Sequence, residues 1–436
     1  MPMRAITLAI QNSHARYIPL NAPIYIACSG GRDSMALLFA CHQLGLPIHV
    51  IHINHKIQSP SDAWQQLVED FCQTHQIPYQ SHCLSWQQST FKANISEAQA
   101  RTARYQAIAS LVPTGAIIAT AHHANDQAET LLMNLCKGTG LTGLVGISEW
   151  GEQHEFGKPL WLWRPLLGVT REQISAFVTA HQLPYVNDPT NVGDANQRAF
   201  LREQIFPLLN QRFGNLIDNI HRTQTNLAEA KIILDEQVQQ DLQTCELAQI
   251  STPYQQQLDI GKLKTLSQPR RFAVLHSWVK GDEKFAPHRQ LVEQIEQLIG
   301  NDDPNQQTIL VWQMFEIRRY RQRLYRMNTE YYQSDSKNLE SIIIPPTIGY
   351  LRPLMANEKL QRLGHDYHEP FKKICQRLDI PSWERDLARI INDTQHRPLA
   401  LLLPYSLLDK QIVWLADSQS LNSEQKQILT AILHQL

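Results

Sequence analysis

The segment IYIACSGGRDSMALLFA, Ile24 to Ala40, joins an apolar run, two adjacent glycines and a second apolar run at helical spacing. Its parts read as a buried strand, a tight turn and a helix that begins where the turn ends. Gly30 and Gly31 admit backbone angles closed to other residues and let main-chain N–H groups approach a ligand. The N-terminus of the following helix adds about half a positive charge. The turn is therefore either a phosphate cradle, with the Ser29 and Ser34 hydroxyls as further donors, or a plain capped connection. Asp33 suits an anion site only if it caps the helix, holds a magnesium ion or faces another substrate. The turn matches neither G-x-x-x-x-G-K-[ST] nor G-x-G-x-x-G, which argues against the two commoner nucleotide-binding loops.

Outward from this turn, the first half alternates strand-like and helix-like segments in βαβ order. Strands are expected at 24 to 28, 48 to 53, 79 to 83 and 116 to 121, and helices near 34 to 44, 61 to 76, 94 to 112 and 125 to 137. Thr170 starts another helix near 170 to 181, the turn-rich NDPTNVGD follows, and a helical stretch reaches about Leu209. Residues 215 to 245 keep helical periodicity with polar faces. Helices then precede the strand-like FEIRRYRQRLYRM, and after the polar stretch Asn328 to Lys337 the run IIIPP opens a last unit. This gives an α/β domain on a Rossmann-like parallel sheet at 1–214, a helical linker and mainly helical middle domain at 215–330, and a smaller α+β domain at 331–436.

A length of 436 residues exceeds what one core usually organises. No apolar run approaches the ~18 residues of a membrane helix and the start lacks a secretory leader, so a cytoplasmic protein without membrane partners is expected. Seven cysteines, odd in number and never spaced C-x-x-C, indicate neither a disulfide framework nor a zinc or iron–sulfur site. A net charge of −1 gives no global basic field, so nucleic acid would have to meet local patches.

Ser29 to Ser34, SGGRDS, resembles the pyrophosphate-binding loop of the ATP pyrophosphatase (PP-loop) superfamily, with its adenine nucleotide alpha hydrolase-like fold. Three further matches narrow the resemblance to the tRNA(Ile)-lysidine synthetase family: His52-Ile53-Asn54-His55, Glu97-Ala98-Gln99-Ala100-Arg101 with Arg104-Tyr105, and ATAHHANDQAETLLMNLCKGTG from Ala119 to Gly140. Arg164-Pro165-Leu166-Leu167, NDPTN from Asn187 to Asn191, Arg198-Ala199-Phe200-Leu201-Arg202 and Pro207-Leu208-Leu209 continue it in the family's order. EIRRYRQRLYR and FKKICQRLDIPSWER resemble the longer bacterial form more loosely.

The resemblance implies an ATP-dependent ligase that modifies tRNA. The wobble cytidine of a CAU-anticodon tRNA(Ile) is adenylated at its 2-oxo group with release of pyrophosphate, and the ε-amine of free L-lysine then displaces AMP to give lysidine. ATP and Mg2+ are the implied cofactors, and tRNA(Ile), free lysine and a second copy of the chain in a homodimer are the candidate partners. Ser29, Gly30, Gly31, Arg32, Asp33 and Ser34 would cradle the pyrophosphate, with Asp33 at the metal and Arg101 on ATP phosphates or the target nucleotide. Attack requires a neutral amine, and with a reference pKa of ~10.4 its deprotonation at pH 7 costs about 4.6 kcal/mol. Asp33, His123, Asp126 and Glu129 are candidates to hold the lysine or take that proton, and Arg198 is a further catalytic candidate.

Each of these residues also has a bland reading. Adjacent histidines at a strand end often only pack, and Asp126, Glu129 and Met133, at helical spacing, could be ordinary partners of the helix dipole and face. Arg101, Arg104, Lys137, Arg198 and Arg202 could line solvated helix faces. Two positions depart from the family: Asn125 stands where a second Asp is usual, and Ala199 where Asn is usual. In RRYRQRLYR, a single strand would put Arg319, Arg321 and Arg323 on one face as a basic stripe for tRNA, with Tyr320 and Leu324 opposite; a solvated edge strand is the alternative. Tyr320 or Tyr325 could stack on a base, and Lys372, Lys373, Arg377 and Arg385 form the matching patch in the last domain. The rival functions are another ATP pyrophosphatase, such as a tRNA thiolase or NAD synthetase, and a nucleotide-binding adaptor without turnover.

Overall fold

The computed structural model describes residues 2–56, 60–84, 97–154, 156–187, 197–247, 255–283, 285–301, 308–328, 344–355, 358–402 and 412–434. It divides into two compact units, residues 1–232 and 233–436.

The first unit runs α1 (Pro2–Tyr17), β1 (Ile24–Ala27), α2 (Arg32–Gln43), β2 (Ile48–Asn54), α3 (Ser61–Thr74), β3 (Tyr79–Cys83), α4 (Glu97–Leu111), β4 (Ile117–Ala119), α5 (Ala124–Cys136), α6 (Leu141–Leu144), β5 (Trp150–Gln153), β6 (Leu160–Trp163), α7 (Arg171–Ala180), α8 (Gln197–Phe200), a π-helical turn (Leu201–Ile205), α9 (Phe206–Phe213) and the first part of α10 (Leu216–Cys245), whose remainder belongs to the second unit. Its sheet has the order β3-β2-β1-β4-β6-β5, parallel throughout except for the antiparallel edge strand β5.

Alternation along the strands builds two cores. Ile24 and Ile26 of β1 join Ile6, Leu37, Phe71 and Phe177 from α1, α2, α3 and α7 on one side. Tyr25 and Ala27 turn to the other side, where Tyr105 and Ile108 of α4 pack on Ile51, Ile118 and Leu162. Helices thus cover both faces, and the expected βαβ elements are present within a few residues of their predicted ends. Thr170 caps α7 as read from sequence, and Gln173 completes a reciprocal capping box. α1 was not anticipated; it is held by its buried Ile6 and Ile10 and by Ser13, which accepts the Trp163 indole N–H at 2.7 Å. Gly138 to Gly143 has G-x-G-x-x-G spacing but follows the end of α5, with no strand before it, so it is not a dinucleotide turn. Most of NDPTN, the polar stretch after Asn328 and the first residues of the predicted 94 to 112 helix lie outside the described residues.

In the second unit, β7 (Gln255–Asp259), α11 (Ile260–Thr265), α12 (Gln268–Lys280) and α13 (Arg289–Gly300) precede β8 (Ile309–Trp312), β9 (Phe315–Tyr320) and β10 (Arg323–Asn328). The expected helices lie on an antiparallel sheet of order β7-β10-β9-β8, where Val274, Trp278, Val292 and Ile295 cover Leu258, Ile317 and Leu324. A second antiparallel sheet, β11 (Tyr350–Pro353), β14 (Arg389–Asn392), β15 (Pro398–Leu402) and β16 (Ile412–Trp414), carries the last part of the chain, with the short pair β12 (Lys359–Leu360) and β13 (Glu369–Pro370) beside it.

RRYRQRLYR corrects the single-strand reading. It is a hairpin: β9 ends at Tyr320, Arg321 takes φ +51°, and Arg323 pairs back with Tyr320. Arg319 is paired with Leu324, so the two share a face and no three-arginine stripe forms. The Arg319 guanidinium donates to main-chain oxygens at the end of α13, 2.6 Å from that of Leu298, and also to Asn301. Arg321 pairs with Asp379 and donates to the Gln376 carbonyl at 2.5 Å.

Candidate functional site

β1 lies between β2 and β4, so the chain leaves it on one side for β2 and returns on the other at β4. Crevices at the carboxyl ends of strands where the order reverses are the ligand sites of open α/β sheets. Here that point is formed by the turn after β1, residues 28 to 31, and the segment after β4, residues 120 to 123.

In the first turn Gly30 takes φ +82°, and a Cβ there would meet Val68 Cγ2 at 3.3 Å and Val186 Cγ2 at 3.5 Å. Glycine is thus needed both for its angle and for space. Gly31 caps α2 with extended backbone and no side-chain cap bond, leaving the first N–H groups of the helix for a ligand. Ser34 is buried and donates to the Gly31 carbonyl at 2.8 Å, while its oxygen lies 3.3 Å from that of the exposed Ser29. Arg32 and Asp33 form the first turn of α2, with Arg32 Nε 3.4 Å from Asp33 Oδ1.

The segment after β4 meets this turn through His123. As the N-cap of α5, it accepts the Asn125 N–H on Nδ1 at 3.2 Å, and its own N–H donates to Asp126 Oδ2 at 2.9 Å. The ring proton therefore sits on Nε2, 3.6 Å from Asp33 Oδ2 and 3.8 Å from Asp126 Oδ2. Burial alone would push the His123 pKa down; the hydrogen bond to Asp33 and the charges of Asp126, Asp33 and Glu129 outweigh it and raise the pKa above its ordinary value. A second proton on Nδ1 would displace the Asn125 cap, so protonation of this ring is coupled to the start of α5. Asp33 is shifted the other way: burial acts to raise its pKa, but His123, Arg32 and Arg171 together hold it below the usual range, so it is charged at neutral pH.

One turn along α5, Glu129 is fully buried. Its Oε1 accepts from Arg202 Nε at 2.9 Å and Nη2 at 2.8 Å, whereas its Oε2 is buried without a partner among the described residues. Arg202 stands on the π-helical turn, a local irregularity common at functional sites. Burial raises the Glu129 pKa despite the opposing charge and hydrogen bond of Arg202. Arg171, at the start of α7, lies in the field of Asp33, Glu129, Arg32 and Arg202, and its N–H donates to Asn125 Oδ1 at 3.0 Å. The carboxamide at this departure from the family pattern therefore fastens α7 to α5.

Beside this acidic zone is a cationic one. His122 shares a hydrogen bond of 2.9 Å with Thr120, and burial, followed by the charges of Arg164, Arg101, Arg104 and Arg198, pushes its pKa well down. Arg101 and Arg104 stack on the Tyr105 ring at 5.0 and 5.5 Å. A planar guanidinium group held over a ring is well placed to meet phosphate. Arg198 also acts electrostatically on Glu129, so it lies between the zones, and Ala199 beside it is buried. Lys137 instead caps the far end of α5, about 20 Å along that helix.

Among the described residues no trio of His, Cys, Asp or Glu could hold a metal. A single carboxylate in the first turn of α2, Asp33, with one third of its side chain exposed, suits an ion that keeps its waters and takes phosphate oxygens, as magnesium does. In the second unit Lys372 and Lys373 are exposed on the helix Phe371–Arg377. Arg377 pairs with Glu369 at 3.3 Å, and Arg385 Nη2 lies 3.5 Å from the Ile380 carbonyl. Arg323 begins β10, where Tyr325 is buried edge-on against Trp383, so that ring is not offered to a base.

Sequence reading missed Arg164 and Arg171 as site members: the first was visible only as part of a motif, and the second opens a helix with no local signal.

Residues 7–209 match the family model described as a PP-loop domain, and residues 258–325 match that of the TilS substrate binding domain. The chain is similar to the tRNA(Ile)-lysidine synthase of Psychrobacter sp. (strain PRwf-1), 35% identical over 73% of this chain and 66% of that protein. It is 32% identical to the tRNA(Ile)-lysidine synthase of Acinetobacter baylyi over 86% of this chain and 85% of that one. With the Shigella flexneri protein of the same name it shares 31% identity over 86% and 90%.

Proposed function

The chain belongs to the tRNA(Ile)-lysidine synthase family, and on that premise we propose that it joins free L-lysine to carbon 2 of the wobble cytidine of CAU-anticodon tRNA(Ile). It is an ATP-using enzyme built on a PP-loop domain. In the first step the cytidine 2-oxygen bonds to the α-phosphorus of ATP and pyrophosphate leaves. The free N–H groups at the start of α2 and the Ser29 and Ser34 hydroxyls face the charge that grows on the leaving group. Mg2+, when bound through Asp33, would supply further neutralisation of that charge. Arg101 and Arg198, in the cationic zone, hold the α-phosphate or the target nucleotide.

In the second step the lysine nitrogen bonds to carbon 2 as AMP departs with the oxygen. Asp126 and Glu129 hold the lysine ammonium, and Asp33 and His123 form the relay that takes its proton. The observation that carries this reading is Glu129 Oε2, a buried carboxylate oxygen with no partner among the described residues, on the helix that meets the ATP loop. A carboxylate so placed welcomes an ammonium but opposes its deprotonation, so proton loss comes late, as the C–N bond forms.

Residues 215–330 and 331–436 hold the tRNA body, with Lys372 and Lys373 among the exposed cations. Arg319, Arg321 and Arg385 act mainly by shaping that surface.

The test separates the steps. Pyrophosphate release should require ATP and tRNA(Ile) but not lysine, and AMP release should require lysine as well. Lysine-independent AMP release at the full rate would overturn the proposal.

A further inference from the structure

The HINH stretch, His52 to His55, closes β2 beside the ATP loop, yet none of the steps above uses it. His52 is 3% exposed, and its Nδ1 lies 2.9 Å from the main-chain oxygen of Cys28, the residue just before the loop. A carbonyl only accepts, so the ring proton must be on Nδ1. Burial lowers the His52 pKa, which keeps the ring neutral.

Two further carbonyls of the loop, those of Gly30 and Gly31, are tied back in the same way. The Val186 N–H donates to Gly30 O at 3.0 Å, and Ser34 Oγ donates to Gly31 O at 2.8 Å. In a trans peptide the C=O of one residue and the N–H of the next point in opposite directions. Tying the oxygens of residues 28 and 31 inward therefore turns the N–H groups of Ser29 and Arg32 outward, while the Gly31 N–H donates to Ser29 Oγ at 3.4 Å. One tie is main chain and one lies within the loop; His52 supplies the third from a neighbouring strand. Asn54, two residues on, is 1% exposed and donates to Asp62 at 2.8 Å and Gln65 at 3.0 Å, which fastens the end of β2 to α3. α3 in turn brings Val68 against Gly30.

We propose that His52 is a positioning residue for the ATP loop, its Nδ1–H holding the Cys28 carbonyl so that the Ser29 N–H faces the ligand. This rests on the reading that the loop takes the pyrophosphate end of ATP.

Equilibrium binding of Mg-ATP to the full chain tests it, with His52→Asn, His52→Phe and His52→Leu. An Asn Nδ2 stands close to where Nδ1 stood, so His52→Asn should bind ATP within about threefold of wild type. Phe and Leu lack the donor and should weaken binding about tenfold, a loss typical of one buried hydrogen bond. If His52→Phe fails to fold, His52→Leu serves in its place. A purely packing role predicts the reverse order, with Phe tolerated better than Asn; that order, or all variants at wild-type affinity, would overturn the proposal. Failure of the wild-type chain to bind ATP is a different result and would instead remove the reading beneath it.

Discussion

Replacing Arg202 by Met isolates the energetics of the buried acid. The variant keeps the aliphatic bulk but removes both donors to Glu129 Oε1, leaving a carboxylate with no exposed surface and neither oxygen paired among the described residues. Removing one partner of a fully buried pair costs about 3–5 kcal/mol. The Arg202 side chain is 30% exposed, so part of its work is screened by water, and we expect about 2 kcal/mol. Glu129 already has a raised pKa, and in the variant it rises further because burial acts unopposed. A raised carboxyl pKa means that the folded state binds the proton more tightly than the unfolded one. The cost is therefore absent below the unfolded value and complete above the folded value, and the destabilisation grows from pH 5 to pH 8. Hydrogen exchange of the α5 amides reads this without requiring two-state unfolding of a chain with two units. At pH 8, after correction for intrinsic rates, exchange should be roughly thirtyfold faster than in wild type, the equivalent of about 2 kcal/mol. Adding Glu129→Gln should recover much of the loss. A destabilisation that is the same at both pH values, or no rescue by the glutamine, would refute the reasoning.

Other expectations concern binding and titration. Glu129→Gln and Asp126→Asn should raise the lysine KM tenfold or more, on the order of one charge-assisted hydrogen bond, and leave ATP binding intact; unchanged lysine kinetics in both would remove these residues from the lysine site. Asp33→Asn should lower the His123 titration midpoint, followed by ring NMR, since the interaction of the ring Nε2–H with that carboxylate raises it; an unmoved midpoint would mean the contact at 3.6 Å is inert. Gly30→Ala should weaken ATP binding because it combines φ +82° with a Cβ contact at 3.3 Å, and wild-type affinity would show that the turn relaxes freely. Lys372→Glu with Lys373→Glu should weaken tRNA binding and flatten its salt dependence by roughly one to two units of logarithmic slope, with ATP binding spared; an unchanged slope would move the tRNA elsewhere.

The first half of the fold was legible because its signals are local. Apolar runs bounded by turn residues marked the strands, and Thr170 marked the start of α7, where the structure adds Gln173 to the cap. The hairpin at Arg321 was not legible: a positive φ is usually announced by Gly, Asn or Asp, and here an arginine adopts it, held by Asp379 from far along the chain. The site was half legible. The loop and the His123 segment carry motifs, whereas the Glu129–Arg202 pair joins residues 73 apart in sequence and depends on a π-helical turn that no pattern announces. The acid at Asp126 also does double duty that sequence could not divide, because its carboxylate closes the capping box of α5 while facing His123.

The most direct measurement is incorporation of labelled lysine into a CAU-anticodon tRNA(Ile) transcript with ATP and magnesium, beside a tRNA(Met) of the same anticodon. Stoichiometric label in the first alone, with one pyrophosphate and one AMP released for each lysine joined, is the predicted result. No label in tRNA(Ile) from a chain that binds ATP tightly would contradict lysidine formation and leave only the nucleotide site.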